Sequence, residues 1–325
     1  MKAWQVTRFG EPEEMTFAEM PVAAPGPGQV LIRNRAVGLN FFDILQIQGK
    51  YQFKPSFPFT VGREVAGQVE AVGEGVSKLF AGEAVLAFPD GGGYAEYSLA
   101  AADRTFPKPD DMGFPAAAGM AITYQTSYFA LTHRARLQEA EWLLVHAGAS
   151  GVGVAALQLG KALGARTIAT AGSDEKLAFC RAHGADHAIG YAEASWVDQV
   201  KEITSGRGAD VIYDPVGGEV FDLSTKCIAP DGRLLVVGFA AGRIPSIAAN
   251  RVLLKNMAVV GVFWGRHVDE HPGYLAAAQQ TLIDFHRQGK IRPSVSVTYP
   301  LSQAPAALAD LGRRKIVGKA VLVID

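Results

Sequence analysis

The chain has 325 residues and 49% hydrophobic side chains, which is typical of a globular protein large enough for two cores. Its 31 basic and 32 acidic residues leave a net charge of -1, so neither nucleic acid nor an anionic membrane is an expected partner. Two cysteines form no disulfide framework and cannot supply a four-cysteine zinc site. No secretory leader pattern or membrane-spanning apolar run is recognisable, and the predicted location is the cytoplasm.

Short strands separated by turns are predicted in the part of the chain before residue 120. Representative strands are 29–33, 65–72 and 83–88, and the intervening turns are rich in Gly and Pro, as at 25–28 and 91–93. This pattern predicts a β-rich, barrel-like domain.

Helices alternate with apolar strands from residue 121 onward. Strands that are apolar throughout and alternate with helices predict a parallel sheet covered on both faces. The segment 300–325 is predicted to return to the first domain. The predicted helices are 121–131, 174–183 and 274–288, and the predicted strands are 142–146, 167–170, 210–214 and 233–237.

A glycine-rich turn follows the first of these strands and opens an apolar helix. It fits G-x-G-x-x-G with Ser150 in place of the middle glycine. Gly148 is predicted to permit the tight turn, Gly153 to let the helix pack closely on the strand, and the Ser150 hydroxyl could donate to a phosphate. The pyrophosphate of a dinucleotide would lie at the helix N-terminus. The predicted cofactor contacts are Gly148, Ser150, Gly151, Val152 and Gly153; the alternative is an ordinary glycine-rich turn.

The end of the next strand distinguishes NAD from NADP, because an acidic residue there binds the ribose 2′-hydroxyl of NAD. That strand is followed by Ala171-Gly172-Ser173, which contains no carboxylate, and Asp174 and Glu175 suit the first turn of a helix. Ser173 and Lys176 offer a hydroxyl and a cation to a 2′-phosphate. NADPH is therefore the predicted cofactor, near Gly172, Ser173 and Lys176; alternatively Ser173 only caps the helix and Lys176 lies on a solvated face.

Further segments carry a family resemblance that spans nearly the whole chain. They are 40–43 (Asn-Phe-Phe-Asp), 48–51, 58–73, 92–97, 126–128 and Gly318-Lys319. In this order and spacing the chain resembles the zinc-independent quinone oxidoreductases, the group that includes zeta-crystallin, within the medium-chain dehydrogenase/reductase superfamily.

The resemblance implies an α/β fold with a GroES-like, β-rich catalytic domain and a Rossmann-type domain with a doubly wound parallel sheet. We expect the former at 1–122 and 266–325 and the latter at 123–265. It also implies hydride transfer from NADPH to a quinone or an activated alkene, and a homodimer, since relatives commonly form homodimers or homotetramers through the Rossmann sheet.

Site residues also follow from the resemblance. Lys176 and Tyr191 match residues that hold the 2′-phosphate, and Tyr51 matches a tyrosine of the substrate cleft. Residues that line the nicotinamide are matched by Asn40, Thr126, Phe239, Ala240, Phe263 and Trp264, and more weakly by Lys319.

No metal site is expected. The cysteine and histidine ligands of zinc-dependent relatives are replaced by Asn40 and Arg63, and a guanidinium has no lone pair to offer. Glu64 is predicted to form a structural ion pair, with Arg63 as the suggested partner. His146 is predicted to be a packed histidine rather than a ligand.

The predicted catalytic residues are Tyr51 and Asn40. A quinone is electrophilic without a metal, so the enzyme would mostly position it and supply a proton or hydrogen bond to the reduced oxygen. Tyr51 is the suggested donor, with bulk water as the alternative. Asp43 is expected to cap a helix, and Cys180 and Cys227 to be buried apolar residues.

Two other functions stay open from the sequence. One is an ene-reductase that acts on alkenals, enones or enoyl thioesters with the same scaffold and hydride. The other is a protein that binds NADPH without turnover, which the retention of Tyr51 and Asn40 disfavours.

Overall fold

The computed structural model describes residues 1–191 and 195–325, and these divide into two units. The first unit is Met1–Ile122 with Pro293–Asp325, and the second unit is Thr123–Arg292. The assignment of residues 266–292 to the first domain is therefore wrong. The helix that contains Gln279 belongs to the second unit, where the Gln125 amide donates to the Gln279 side-chain oxygen at 3.0 Å.

The described residues form strands β1 to β15 in chain order. Their bounds are β1 Lys2–Gln5, β2 Thr16–Glu19, β3 Gln29–Gly38, β4 Val65–Val72, β5 Ala84–Ala87, β6 Tyr97–Ala101, β7 Thr105–Pro107, β8 Trp142–Val145, β9 Arg166–Ala171, β10 His187–Gly190, β11 Ala209–Asp214, β12 Ile228–Val236, β13 Ala258–Gly261, β14 Val297–Pro300 and β15 Ala320–Val323.

The α-helices of the same residues are α1 to α10. Their bounds are α1 Phe41–Ile47, α2 Phe114–Tyr128, α3 Gly151–Ala162, α4 Asp174–Ala182, α5 Trp196–Ile203, α6 Gly218–Cys227, α7 Ala249–Lys255, α8 Trp264–Glu270, α9 Tyr274–Arg287 and α10 Ala304–Gly312. A π-helical turn, Phe129–Arg134, follows α2 directly.

In the first unit, β3 is the central strand. It pairs antiparallel with β4, β6 and β15, while β4 continues through β5 to β7. The β-branched side chains of β3 and β4, among them Ile32, Val65 and Val69, point into one apolar core. The segment 293–325 adds β14 and β15, and Val321 pairs with Gly38, so the predicted return of the C-terminal segment is confirmed.

In the second unit, parallel strands form one sheet in the order β10-β9-β8-β11-β12-β13. Counted along the chain within this unit, the order is 3-2-1-4-5-6, which is the Rossmann arrangement. β11 is buried along its whole length, as expected for a sheet covered on both faces. The strand order reverses between β8 and β11, and such a switch point binds ligands at the carboxyl ends of the strands. The predicted α/β fold class is confirmed.

Candidate active site

The glycine-rich turn after β8 is held by close backbone packing. A Cβ on Gly153 would lie 2.2 Å from the carbonyl oxygen of Ala147, so only glycine lets α3 approach the strand this closely. The sequence predicts that Gly148 permits the tight turn, but the structure gives a different reason for a glycine at this position. The left-handed residue of the turn is Ala147, with φ 48°, whereas a Cβ on Gly148 would lie 2.9 Å from the Cβ of Ala169.

Ser150 begins α3 as its N-cap. Its hydroxyl oxygen accepts from the Gly153 N–H at 3.1 Å, which leaves the hydroxyl proton available to an anion at the helix N-terminus. The first N–H groups of this 12-residue helix and its dipole favour the same anion.

The end of β9 carries no acidic side chain before α4 begins. Ser173 is the N-cap of α4 and accepts from the Lys176 N–H at 3.4 Å, while Asp174 and Glu175 occupy the first turn. The space beside Gly172 is open, because a Cβ there would meet no atom within 4 Å. The capping role considered for Ser173 is thus present, and it leaves the hydroxyl proton free to meet a phosphate.

Tyr191 supports the turn from the end of β10. Its hydroxyl oxygen accepts from the Ala147 N–H at 2.9 Å, and its ring stacks on His146 with centroids 6.0 Å apart. Burial raises the pKa of Tyr191 above its usual range, so the hydroxyl keeps its proton. Tyr191 thus contacts the glycine-rich turn. Its contact with a 2′-phosphate stays a prediction.

His146 is a packed residue, as predicted. It is fully buried, and its ring nitrogens lie 2.8 Å from Thr170 Oγ1 and 2.8 Å from Ser224 Oγ. Burial lowers its pKa to about 3, so the ring is neutral. Cys180 and Cys227 are buried free thiols, also as predicted, and burial raises the pKa of each to about 12.

The predicted cofactor residues of the second unit gather at one edge of its sheet. The glycine-rich turn follows β8, Gly172 follows β9, Tyr191 follows β10, Phe239 and Ala240 follow β12, and Phe263 and Trp264 follow β13. Because the strands are parallel, all these segments lie at their carboxyl ends. Thr126 is half-buried on α2, and Phe263 is 53% exposed.

In the first unit, a buried ion pair joins Lys319 to Glu64. The ammonium donates to Glu64 Oε1 at 2.5 Å, to Asn40 Oδ1 at 2.9 Å and to the Leu39 carbonyl at 2.7 Å. Asn40 Nδ2 donates to the same Glu64 oxygen at 2.7 Å, and the other oxygen accepts from the Ile122 N–H. An ammonium has three protons, so this network uses every one of them.

One prediction is corrected by this network. Glu64 does not pair with Arg63, whose guanidinium instead lies over the Phe53 ring at 5.4 Å. Lys319 is 4% exposed and its three donors serve the network, so it orients the Asn40 side chain. Its contact with the nicotinamide stays a prediction. Asn40 keeps one amide N–H that the network does not use.

Asp43 lies beside this network and caps α1. Its Oδ2 accepts from the Asn40 N–H at 2.9 Å and from the Tyr94 hydroxyl at 3.0 Å, which confirms the predicted capping role. The carboxyl is fully buried, and its Oδ1 has no hydrogen-bond partner in the described part of the chain. Burial raises the pKa of Asp43 to about 7, against the lowering effect of these hydrogen bonds. We call Asn40, Asp43, Glu64, Tyr94 and Lys319 the charged cluster.

Tyr51 follows α1 in the same unit. Its ring packs on Phe42 with centroids 5.6 Å apart, and among the described residues no hydrogen bond occupies its hydroxyl. Burial raises its pKa, an effect that Arg63 opposes and Asp43 reinforces. The phenol is therefore protonated at neutral pH and able to donate.

Residues 1–191 and 195–325 contain no group of three His, Cys, Asp or Glu side chains arranged to hold a metal ion. None of the helices in these ranges is long and apolar enough to cross a membrane. The cytoplasmic location and the homodimer stay predictions.

The chain is similar in sequence to known protein families and to individual relatives. Residues 26–110 match the alcohol dehydrogenase GroES-like domain family, and residues 151–280 match the zinc-binding dehydrogenase family. A quinone oxidoreductase of Pseudomonas aeruginosa is 34% identical over 99% of both chains. The quinone oxidoreductase-like protein 2 homolog of Nematostella vectensis is 38% identical over 91% of this chain and 82% of its own. The chain belongs to the zinc-independent quinone oxidoreductases of the medium-chain dehydrogenase/reductase superfamily.

Solved structures of this superfamily match the fold over the full length. Escherichia coli quinone oxidoreductase complexed with NADPH superimposes with a TM-score of 0.92 at 30% identity and covers 100% of both chains. The CurK enoyl reductase superimposes with a TM-score of 0.91 at 27% identity, covering 100% of this chain and 99% of its own. The GroES-like and Rossmann-type units expected from the sequence are thus confirmed.

Two contacts of the charged cluster are not indicated by the sequence. Tyr94 donates to Asp43 across 51 positions, and Lys319 meets Glu64 across 255 positions. Tyr94 and Lys319 lie in segments that carry the family resemblance, but nothing in their local pattern indicates a distant carboxylate. Burial of a charged side chain is visible only in the folded chain.

Proposed function

We propose that this oxidoreductase uses NADPH to reduce a quinone. The observation that carries the cofactor choice is the end of β9, where Gly172 leaves open space and Ser173 with Lys176 replaces an acidic residue. Support for the substrate class comes from relatives named quinone oxidoreductases that align with nearly the whole chain.

The glycine-rich turn fits the pyrophosphate of the cofactor. The α3 N-terminus and the Ser150 hydroxyl would hold it, while Lys176 and Ser173 would hold the 2′-phosphate and Phe239, Ala240, Phe263, Trp264 and Thr126 would line the nicotinamide. NADPH supplies the hydride when bound. The chain's own contribution is to place the ring and exclude water from it.

Tyr51 is the proposed proton donor to the reduced oxygen. Its hydroxyl is protonated and is not occupied by a described neighbour. Asn40 would offer its unused N–H to the same oxygen, and Lys319 with Glu64 fixes the orientation of that amide. These donors would stabilise the charge that develops on a quinol oxygen.

The first experiment is oxidation of NADPH, with NADH in parallel, by a benzoquinone, a naphthoquinone, an alkenal and an acrylyl thioester, with and without a chelator. We expect rapid, chelator-insensitive oxidation by the quinones with NADPH preferred. Loss of activity with chelator contradicts a metal-free reaction. Saturable NADPH binding with no oxidation across the panel favours a binding protein without turnover.

A lysine variant tests the cofactor choice. Lys176→Gln removes one charge-assisted contact to the 2′-phosphate, so KM for NADPH should rise about tenfold while KM for NADH stays unchanged. Lys226→Gln, a change of a lysine in the last turn of α6, is the matched control. An equal change of both KM values in Lys176→Gln would remove the 2′-phosphate contact from the proposal.

The donor role of Tyr51 has its own test. Tyr51→Phe keeps the ring that packs on Phe42 and removes only the hydroxyl, so kcat should fall about 100-fold or more if Tyr51 is the general acid. Full turnover in Tyr51→Phe would assign the proton to water.

Ene reduction is the second candidate function. The observation in its favour is the close structural match to the CurK enoyl reductase. A response confined to the alkenal or the thioester would retain the fold and cofactor and change the substrate class.

A further inference from the structure

The segment 44–63, which includes the end of α1 and the loop that leads to β4, carries positive charge without an acid of its own. It contains no Asp or Glu and three cations, namely Lys50, Lys54 and Arg63. The acids on either side of it are Asp43 and Glu64, and both belong to the charged cluster. This part of the first unit is therefore locally cationic, although the whole chain has a net charge of -1.

Arg63 is the cation of this segment whose position is best defined. Its guanidinium carbon lies 5.4 Å from the centre of the Phe53 ring, and the residue is half-buried. The backbone before it is fixed, because the Gly62 carbonyl accepts from the Gly93 N–H at 3.0 Å and a Cβ on Gly62 would meet the Tyr94 ring at 2.5 Å. A guanidinium that stacks on an aromatic face keeps the N–H groups in its plane for other partners.

No carboxylate among residues 1–191 and 195–325 forms an ion pair with Arg63. Glu64 pairs with Lys319, and in the same ranges no hydrogen bond occupies the Arg63 guanidinium, whose contact is the Phe53 ring. Partial burial strengthens the attraction between such a charge and an anion, because less water screens it. Arg63 is thus a positioned cation with five N–H donors to offer.

The guanidinium lies beside the proposed proton donor. Burial raises the pKa of the Tyr51 hydroxyl, and Arg63 is the neighbour that opposes this rise. The Tyr51 ring packs on Phe42, and Phe53 is 55% exposed, so a phenol, a cation and an open aromatic face occur together. A planar substrate that reaches the Tyr51 hydroxyl would also come within reach of Arg63.

We propose that Arg63 is a specificity-determining residue, which binds an anionic substituent such as a carboxylate or a sulfonate on the quinone that is reduced. This inference rests on the proposed reduction of a quinone and narrows its substrate class. The paired N–H donors of a guanidinium match two oxygens of such a group. Neutral quinones lack this contact, so their kcat/KM is expected to be lower.

Two naphthoquinones that differ in charge test the proposal. The specificity ratio is kcat/KM for 1,4-naphthoquinone-2-sulfonate divided by kcat/KM for neutral 1,4-naphthoquinone, with NADPH at saturation. Arg63→Gln removes the charge, so this ratio should fall about tenfold from its wild-type value. Because the ratio is compared between proteins, the different reactivities of the two quinones cancel. A ratio that Arg63→Gln leaves unaltered overturns the proposal.

Two further variants separate this contact from a general effect of charge. Arg33→Gln makes the same change in net charge at an exposed position of β3, and it should leave the specificity ratio unaltered. Arg63→Lys keeps the charge and loses the paired donors, so its ratio should lie between those of the wild type and Arg63→Gln. An equal fall in Arg33→Gln and Arg63→Gln would assign the preference to net charge and contradict a role for Arg63.

Binding of a redox-inactive pair gives a readout that does not need turnover. Calorimetry with the oxidised cofactor at saturation would compare naphthalene-2-sulfonate with neutral naphthalene-2-sulfonamide. We expect the sulfonate to bind more tightly and Arg63→Gln to remove that difference. Equal affinities in the wild type overturn the proposal. If neither quinone oxidises NADPH while the sulfonate preference depends on Arg63, the proposed quinone reduction fails and the anion-binding role of Arg63 is retained.

Discussion

The charged cluster of the first unit and the polar network around His146 in the second unit are both buried, but they differ in charge. Glu64 and Lys319 form an ion pair with exposures of 0% and 4%, whereas His146 is neutral between two hydroxyl groups. Removing a charge from water costs several kcal/mol, while a neutral hydrogen-bonded group costs little. The ion pair, which costs more to bury, lies beside Asn40, a predicted catalytic residue. The neutral network around His146 supports the sheet.

Removing the buried cation should have the largest effect. Lys319→Met leaves Glu64 charged and unpaired, so the free energy of unfolding should fall by about 3–5 kcal/mol in a urea titration. The double variant Glu64→Gln with Lys319→Met removes both charges and should recover much of that loss. Equal instability of the single and double variants would mean that packing, not charge, dominates at this position.

Asp43 should give the cluster a distinct dependence on pH. Its native pKa of about 7 exceeds the unfolded value of 3.8, so the native state binds the extra proton and stability falls as pH rises from 4 to 7. Asp43→Asn should abolish this slope and stabilise the protein at pH 8 by at most about 4 kcal/mol. Urea midpoints measured at each pH check the slope, and a slope retained in the variant would assign it to another group.

His146 should produce the opposite dependence. Its native pKa of about 3 lies below the unfolded value of 6.5, so its stabilisation is complete above pH 6.5 and is lost as pH falls toward 3. His146→Gln should flatten this acid limb and cost about 1–2 kcal/mol at pH 7.5 through a lost hydrogen bond. Thermal unfolding between pH 3 and 8 would show it, and an unaltered acid limb would contradict the assignment.

Removing one hydroxyl from a neutral hydrogen-bonded pair should have the smallest effect on stability. The hydroxyl groups of Ser127 and Tyr213 lie 3.0 Å apart, and Ser127 also donates to the Val152 carbonyl at 3.1 Å. Tyr213→Phe therefore leaves Ser127 satisfied and should cost only about 1 kcal/mol at any pH from 5 to 9, as measured by urea unfolding. A cost above that of Lys319→Met would reverse the comparison.

Much of the fold could be predicted from local patterns. The sequence predicts the strand at 65–72 with its observed bounds, because apolar and polar residues alternate along it and Gly73 follows its end. For β12 the predicted strand, 233–237, starts too late. Pro230-Asp231-Gly232 is typical of a turn, but the observed strand begins at Ile228 and includes these residues. The second domain boundary was misplaced because α9 is amphipathic and gives no sign of which core it covers.

Site residues in the turns that directly follow a strand can be predicted from the sequence. Side-chain contacts between residues far apart in the chain cannot. The glycine-rich turn and the Ser173 cap were recognised because their residue types and spacing have a local physical reason. The sequence suggests Arg63 as the partner of Glu64 only because the two residues are adjacent. Its partner, Lys319, directly precedes β15, and local patterns do not reveal that β15 pairs with β3.

The separation of Glu64 and Lys319 has a consequence for protein synthesis. A ribosome that adds roughly 5–20 residues per second needs tens of seconds to make the 255 positions between them. During that interval the carboxylate has no cation, while every residue of the second unit is made and can fold as a continuous segment. The first unit therefore cannot complete its buried ion pair until the whole second unit has been synthesised.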